Sequence, residues 1–549
     1  MSEPDMHILL AYKSHREGAD DPYTSLLPVG LLTINAVLRE AGFSSLVANL
    51  SRIGREEIIR LLRSGAPSVV GLSQFTHNRF ETLEMARLVK EVLPGCFVLL
   101  GGPHATCRWQ EMLESSPCVD AVALGEAEMT MLELAGQLRS GGIDPSRPIP
   151  GLAFRGADGR VISGGQRPVV ERLDEIPLPG RYIDNSIGVD PRQQLEFLIT
   201  SRGCPSACSF CSSPRFWGRR LRFRSPGSMI EEIRYLRDRY GLIYFSIRDD
   251  TFTADRKRVL EFCRLLLEQR IFVLWNCQSR VNALDSEMLG WMKRAGCECI
   301  QLGVESGSQK VLECLGKKIT PAESETAAIL IRDVGIRLSV YLISGTIPET
   351  DEDITATCRL IESMRPSDGQ VSPLVYYPGT ALFEEGVKRF GVAPDLFERD
   401  RSPSFPVRAD HNVAKTTRRL LKSLESVAGR TQFIDSDYRG HKKLLGYCHT
   451  TNLMAGEYLA ACGNELGAER EYREIVMSEP DNPWGWLALG EFYGDCGRID
   501  DSIAAFLRLS ELVPSHEPAF RALGELFKLT GDRKKSRYYQ KRADELLAG

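Results

Sequence analysis

The sequence predicts an α/β chain in three parts: a Rossmann-like doubly wound domain, a second α/β unit forming a partial six-unit (β/α) barrel, and an all-α repeat segment. Three observations predict it. Short apolar runs alternate with amphipathic stretches over residues 6–145, the alternation resumes at LEFLITSRGC, and glycines recur at a 34-residue spacing toward the C-terminus. At 549 residues the chain exceeds one hydrophobic core, and roughly 100–200 residues per domain gives about three. The boundaries fall at 1–145, a linker over 146–190, 191–400, a helical connector over 401–440, and 441–549.

In the first part the strand-like runs are HILLAY, SSLVANL, SVVGLS, CFVLLGG and DAVALG, separated by helix-length segments such as LLTINAVLREAG and FETLEMARLVKEV. Apolar runs of this length between amphipathic helices mark a parallel sheet covered on both faces. A Gly/Pro-rich connector with weak hairpin signals follows. The second part has strand-like runs at Leu195–Thr200, Ile243–Arg248, Phe272–Cys277, Cys299–Val304, Arg337–Ile343 and Gln370–Val375. Six strand–helix units fall short of the eight that close a barrel, so the barrel stays open on one side. In the last part Gly456, Gly490 and Gly524 share the spacing of Gly463, Gly497 and Gly531. A 34-residue period of this kind resembles tetratricopeptide repeats, helix hairpins that must stack to bury their faces.

The apolar fraction of 43% and charged fraction of 26% belong to an ordinary globular protein. A net charge of −4 leaves no global positive field to gather nucleic acid or anionic lipid. No basic-then-apolar leader and no stretch of about 18 apolar residues occurs, which points to a cytoplasmic protein without membrane contact. Fifteen cysteines then read as core thiols or metal ligands in a reducing compartment. Cys96, Cys263, Cys358 and Cys462 sit in apolar periodic runs and read as buried thiols.

The segment TSRGCPSACSFCSSP differs from the rest, with Cys204, Cys208 and Cys211 on one loop. Three thiolates can hold three irons of a cubane and leave the fourth open for a ligand. A zinc site would require a fourth Cys or His in a paired motif, and none follows. The loop leaves the first strand of the second α/β unit, at the face where barrel active sites are built. These residues resemble the radical S-adenosylmethionine (SAM) superfamily over about residues 190–400.

The resemblance implies a [4Fe–4S] cluster on the three cysteines, SAM chelated by the open iron, and release of a 5′-deoxyadenosyl radical. It implies SAM contacts by Phe210 beside the third cysteine, by Asp249 and Asp250 in IRDDTF for the methionine ammonium, and by Arg280 in NCQSRVN for its carboxylate. Glu305 with Ser306 in GVESGS and Ser344 with Gly345 in LISGT complete the set at later strand ends. Taken singly each could be a cap or a turn; in strand order they form a pattern. An electron donor such as flavodoxin or ferredoxin is also implied. Arg215, Arg219, Arg220, Arg222 and Arg224 crowd the segment after the cysteines and read first as a structural or solvated face, second as an anion site.

Upstream, GLSQFT and LLGGPHAT each end a strand-like run with small residues that let a backbone approach a ligand. Followed by DAVALGEAE and placed before a radical SAM core, they resemble the cobalamin-binding domains of the class B radical enzymes. That resemblance implies a nucleotide-tail groove at Ser73, Thr76, Gly101 and Gly102, with His104 and Glu126 on neighbouring loops. Related cobalamin proteins carry Asp-x-His-x-x-Gly after the first strand. Here KSHREG has His15 and Gly18, but Lys13 replaces the Asp, and a lysine cannot accept the histidine's second proton. Cobalt without a protein lower ligand is therefore expected.

Together the two resemblances imply methyl transfer from methylcobalamin to an unactivated carbon of a small molecule. Cyclisation or rearrangement and phosphinate methylation use similar parts, and the repeats offer either a docking surface for a protein-bound substrate or a self-contact.

Overall fold

The computed structural model describes residues 6–14, 26–156, 158–408, 411–428 and 433–548. Its first sheet contains β1 (His7–Tyr12), β2 (Ser44–Asn49), β3 (Val69–Ser73), β4 (Phe97–Gly101), β5 (Ala121–Ala123), β6 (Leu152–Arg155) and β7 (Val161–Ser163). Their order is β2-β1-β3-β4-β5-β6-β7, with the first five parallel. Every residue of β3 is buried because helices cover both faces. The last two strands come from the segment expected to be a linker. They add as an antiparallel hairpin, with Phe154 opposite Ala121.

The second sheet is all parallel, β15-β14-β13-β12-β11-β8. Its strands are β8 (Phe197–Leu198), β11 (Tyr244–Ile247), β12 (Leu274–Ser279), β13 (Cys297–Glu305), β14 (Arg337–Ser344) and β15 (Asp368–Pro373). A two-stranded ladder of β9 (Ser201–Arg202) and β10 (Arg222–Phe223) lies beside it. The outward residues, such as Phe245, Trp275, Ile300 and Val340, pack under helices. The inward ones are polar: Tyr341 donates to Gln301 at 2.8 Å, and Arg248 donates to the same oxygen at 3.1 Å. The two α/β units share one apolar core, in which Leu31 and Ile183 meet Leu195, Met229 and Ile233. Apolar area buried at about 25 cal/mol per Å² makes such a shared core a rigid joint.

Three helix hairpins end the chain, pairing His449–Ala461 with Glu465–Ser478, Pro483–Asp495 with Ile499–Leu512, and Glu517–Leu529 with Arg533–Ala548. The 34-residue period has a packing cause: a Cβ on Gly456 would meet the Tyr472 ring at 2.3 Å, and one on Gly490 the Phe506 ring at 2.9 Å. These hairpins dock on the base of the barrel, where helices turn back into strands. His516 donates to the Gly241 carbonyl at 2.8 Å before β11, and Arg270 pairs with Asp481 before β12. The helix Asp435–Leu445, which precedes the hairpins, adds two contacts: Arg294 donates to the Leu445 carbonyl at 3.2 Å before β13, and His441 to the Arg332 carbonyl at 3.0 Å before β14. Among the described residues no helix is long and apolar enough to cross a membrane.

Lys293 is sealed into this contact, donating to the Gly335 carbonyl at 2.7 Å and lying 2.9 Å from the Met454 sulfur. Burial lowers its pKa from 10.5 to about 8, with Cys448, Cys297, Arg337 and Glu298 as smaller influences. The unfolded chain therefore binds a proton more readily between those values, and the lysine's penalty on folding lifts as the pH rises through them. At 1.36 kcal/mol per unit the penalty below pH 8 amounts to about 3 kcal/mol. Thermal midpoints of wild type and Lys293→Met should accordingly converge between about pH 8 and pH 10.5; midpoints that stay parallel across that window would exclude a buried, depressed lysine.

Candidate functional site

The loop that carries the three cysteines is fixed before it begins. Asp249, at the end of β11, has 0% of its surface exposed. It accepts from the Thr200 backbone at 2.5 Å, the Thr200 hydroxyl at 2.6 Å and the Ser201 backbone at 2.9 Å. Arg258 closes the other side of Thr200, donating to its carbonyl at 3.0 Å. Gly203 follows with φ +93°, and a Cβ there would stand 2.2 Å from the Arg220 carbonyl, so only glycine fits. The loop then closes with Cys204 donating to the Gly218 carbonyl and Cys211 to the Cys208 carbonyl, both at 3.3 Å. Ser209 ties it to neighbouring segments, donating to Leu315 and accepting from Leu382, both at 2.9 Å.

Cys204 is buried, and Cys208 and Cys211 are half-buried. Burial raises the Cys208 thiol pKa and lifts that of Cys211 to about 11. Metal binding to this loop must therefore displace protons. Among the described residues no three His, Cys, Asp or Glu side chains converge as a single ion would require. A cubane needs no such convergence, because each thiolate takes a different iron. The donor set therefore fits the cluster.

Around the cysteines the expected SAM residues divide into two groups. Arg280 donates to Ser206 within the loop, and its charge bears on Cys208 together with those of Lys317 and Glu305. Glu305 accepts from Lys317 at 2.6 Å and holds a left-handed φ of +66°, a strained conformation for a residue with a side chain. Asp250 accepts from Ser213 and acts electrostatically on Cys211. Phe210 packs on the apolar layer of Leu315, Leu374 and Phe383. Two expectations need correction. All of the Asp249 acceptor capacity described above goes to the loop backbone and hydroxyl, so it orients the loop instead of meeting an ammonium. Ser344 is fully buried and faces outward, 2.7 Å from the Thr417 hydroxyl on the helix His411–Ala428.

At the carboxyl ends of the first sheet, where the strand order reverses between β1 and β3, lies a cavity of about 230 Å³. Open α/β sheets bind ligands at such a switch point. Leu10, Ser73, Gly101, Gly102 and Ala123 line it, and Ile199, Phe216 and Trp217 from the cysteine-loop region form its opposite wall. Gly102 has φ +98°, and a Cβ there would meet the Gln74 carbonyl at 2.7 Å. The largely apolar wall suits a flat heteroaromatic group such as the cobalamin tail. Thr76 and His104 are corrected: both are buried outside this lining and bond each other at 3.1 Å. Burial lowers the His104 pKa to about 3, so the ring is neutral. His15 and Gly18 lie outside the described residues, and Lys13 donates to the Leu50 carbonyl at 3.0 Å.

Glu126 also lines the cavity, but its carboxylate is corrected too, since arginines hold it. Arg202 donates to it at 2.8 Å and Arg222 at 3.0 Å. Arg202 reaches Glu128 at 2.6 Å, and Glu128 accepts from Thr33 at 2.7 Å. Burial alone would raise the Glu128 pKa; Arg202 and Thr33 outweigh it and leave the pKa below the usual carboxylate range. The other arginines of the run are engaged as well: Arg215 donates to the Gly379 carbonyl, Arg219 to Pro205 at 3.0 Å, Arg220 to Glu171 at 2.8 Å and Arg224 to Glu232. Of the two readings of this run, the structural one holds. Sequence reasoning missed Arg202, Glu128 and Arg258, whose partners lie far away in the chain. It also missed Arg79, buried and donating to the Phe397 carbonyl at 2.7 Å and the Ser402 carbonyl at 2.9 Å.

A cysteine loop built for a cubane, facing a ligand groove at a sheet switch point, defines a two-cofactor enzyme. Residues 198–361 match the model of the Radical SAM superfamily, and residues 20–135 match that of the B12 binding domain. An uncharacterised methyltransferase of Pyrococcus horikoshii is 30% identical over 368 residues, which cover 66% of this chain and 78% of that protein. The chain belongs to the radical SAM enzymes that carry a B12-binding domain, and its cofactors are a [4Fe–4S] cluster, SAM and cobalamin.

The anaerobic magnesium-protoporphyrin IX monomethyl ester cyclase of Rubrivivax gelatinosus is 26% identical over 388 residues, covering 69% of this chain and 70% of that one. The cytidylyl-2-hydroxyethylphosphonate methyltransferase of Streptomyces wedmorensis is 27% identical over 430 residues, covering 67% and 79%. The fold is shared with the radical SAM methyltransferase TsrM from Kitasatospora setae, solved with cobalamin and a [4Fe–4S] cluster. Its TM-score is 0.60 over 86% of this chain and 100% of that one, at 17% identity.

Gly203→Ala tests the loop geometry directly. Strain of about 1–3 kcal/mol at this position should reduce iron retained after anaerobic reconstitution by roughly tenfold or more, read as iron per folded chain; full retention would mean the loop has room it does not show.

Proposed function

We propose that this enzyme is a methyltransferase that moves a methyl group to an unactivated carbon of a small molecule. The observation that carries the reading is the shared wall: Ile199, Phe216 and Trp217, which flank the cysteines, line the same cavity as Ser73, Gly101 and Gly102. When bound, the cluster with SAM supplies the radical initiator and cobalamin the methyl donor. The chain holds these parts in register. Cys204, Cys208 and Cys211 take three irons, Arg280 receives the methionine carboxylate, and Asp250 receives its ammonium.

A second cavity continues from the first, sharing Pro28, Val29, Phe75 and Ile199 with it and reaching Arg248 at the barrel mouth. It is the natural seat of the substrate between the two cofactors, walled by Tyr12, His77 and Phe197. Its aromatic walls exclude water from the reacting carbon, and the inward Gln301 and Tyr341 orient the polar end of SAM or substrate. An external one-electron donor of the flavodoxin or ferredoxin kind reduces the cluster. The terminal hairpins are tetratricopeptide-like units that serve the barrel base, in keeping with their contacts at Gly241, Arg270 and Arg337.

Cyclisation is the second reading, favoured by the similarity to the Rubrivivax enzyme. SAM with a deuterated methyl group, incubated anaerobically with the cobalamin-loaded protein and a low-potential reductant that brings the cobalt to Co(I), without substrate, separates the two. The methylase reading expects the label on cobalamin extracted in the dark; unlabelled cobalamin with intact SAM turnover favours cyclisation. Cys204→Ala should abolish reductive SAM cleavage, lowering 5′-deoxyadenosine release by at least about a hundredfold.

A further inference from the structure

Four charged side chains, paired with one another, form the junction between the cysteine loop and the groove of the first sheet. Arg202, two residues before Cys204, sends one guanidinium nitrogen to Glu126 at 2.8 Å and another to Glu128 at 2.6 Å. Glu126 lies on the loop after β5 and Glu128 opens the helix Glu128–Arg139, and both line the groove of the first sheet. Arg222 completes the set, contacting Glu126 and donating to the Val170 carbonyl at 2.8 Å and the Trp217 carbonyl at 3.1 Å. The four side chains are only 2–6% exposed. The Arg202 guanidinium also covers the Trp217 ring at 4.9 Å, and that ring is a wall of the groove.

Two carboxylates and two guanidiniums cancel in charge, yet burying them costs several kcal/mol per ion before their attraction is counted. Net stability is a poor reason to keep such a set. Specificity is a better one, because a buried network in which each carboxylate meets a guanidinium favours one arrangement and penalises displaced ones, even with the Arg222 Nε left without a partner. The stretch Thr200–Cys204 shows what is being specified. Thr200 and Ser201 are held by Asp249 of the barrel, Arg202 by the groove loop, and Cys204 serves the cluster. Only Gly203, whose own conformation is fixed against the Arg220 carbonyl, separates Arg202 from Cys204.

We propose that the Glu128–Arg202–Glu126–Arg222 network couples the two cofactor sites thermodynamically, so that each cofactor binds more tightly when the other is present, with Arg202 as the positioning residue. The inference rests on the cofactor assignment above. Cobalamin orders the Glu126–Glu128 side of the network and the cluster orders the Arg202–Cys204 side; whichever arrives first meets part of the ordering cost of the second. Linkage requires the effect to be reciprocal and equal, and coupling of this kind typically amounts to 5–150-fold.

The experiment is a four-way titration on the full-length chain. Hydroxocobalamin affinity is measured by absorbance in cluster-loaded and chelator-stripped protein, for wild type and Arg202→Lys; the lysine keeps the charge but loses the fork that reaches both carboxylates. In wild type the cluster should tighten cobalamin binding by about 5–150-fold, and cobalamin should slow iron loss to a chelator in step. In Arg202→Lys the ratio should fall to about one while each cofactor still binds singly. A wild-type ratio near one overturns the proposal. So does a ratio preserved in Arg202→Lys with both affinities weakened together, the signature of a merely structural role. Should Arg202→Lys fail to fold by circular dichroism, Glu128→Gln carries the same comparison. Absence of any cobalamin or iron binding in wild type would refute the cofactor assignment itself, a different result from an uncoupled ratio.

Discussion

Asp249 is a buried carboxylate with no exposed surface, and the three hydrogen bonds it accepts from Thr200 and Ser201 determine where the cysteine loop can go. An unpaired buried carboxylate is costly, so the loop's first two residues must stay where they satisfy it. Arg258 makes the arrangement tighter, since its guanidinium caps the Thr200 carbonyl from the opposite side. From this anchor the direction of the remaining loop follows. Arg202 points to the first sheet, Gly203 makes the turn no other residue allows, and the cysteines open toward the barrel mouth.

The opposite end of the barrel is governed by a different constraint. A partial barrel with polar inward residues leaves its base exposed, where Tyr244, Glu298 and Arg337 form a hydrogen-bonded layer. The helix hairpins cover it, and Glu457 extends the layer by pairing with Arg337 at 3.1 Å. Leu274, the first residue of β12, belongs to the hairpins' own apolar cluster. The repeats are thus part of the barrel's packing. Chemistry at the mouth and cover at the base divide the labour between the two ends of the same strands.

Much of this was legible in the sequence, and the reason differs by element. The five parallel strands of the first sheet announce themselves because burial on both faces forces continuous apolar runs; in the second sheet the outward apolar residues do so, although β15 is largely exposed. The hairpin period is visible because Gly456, Gly490 and Gly524 each seat a side chain of the neighbouring helix, Tyr472, Phe506 and Gln540 in turn, a local relation. The cysteine spacing is local too. What escaped was long-range or depended on facing. Asp249 and Asp250 are adjacent acids at one strand end, and only the alternation of side chains sends the first outward, with Phe245 and Ile247, to Thr200 and leaves the second near Cys211. Ser344 fell on the outward face by the same alternation. Thr76 and His104 satisfy each other behind the groove, and the Glu126 carboxylate is claimed by arginines 76 and 96 residues away.

The account stands on the two cofactors facing one cavity, with the cysteine loop as its shared wall. Pulsed electron paramagnetic resonance on protein carrying both cob(II)alamin and the reduced cluster measures this directly. A clear dipolar interaction between the two paramagnets, present in wild type and absent when either is omitted, is the predicted result. Two independent signals with no mutual broadening would place the cofactors in separate sites and contradict it.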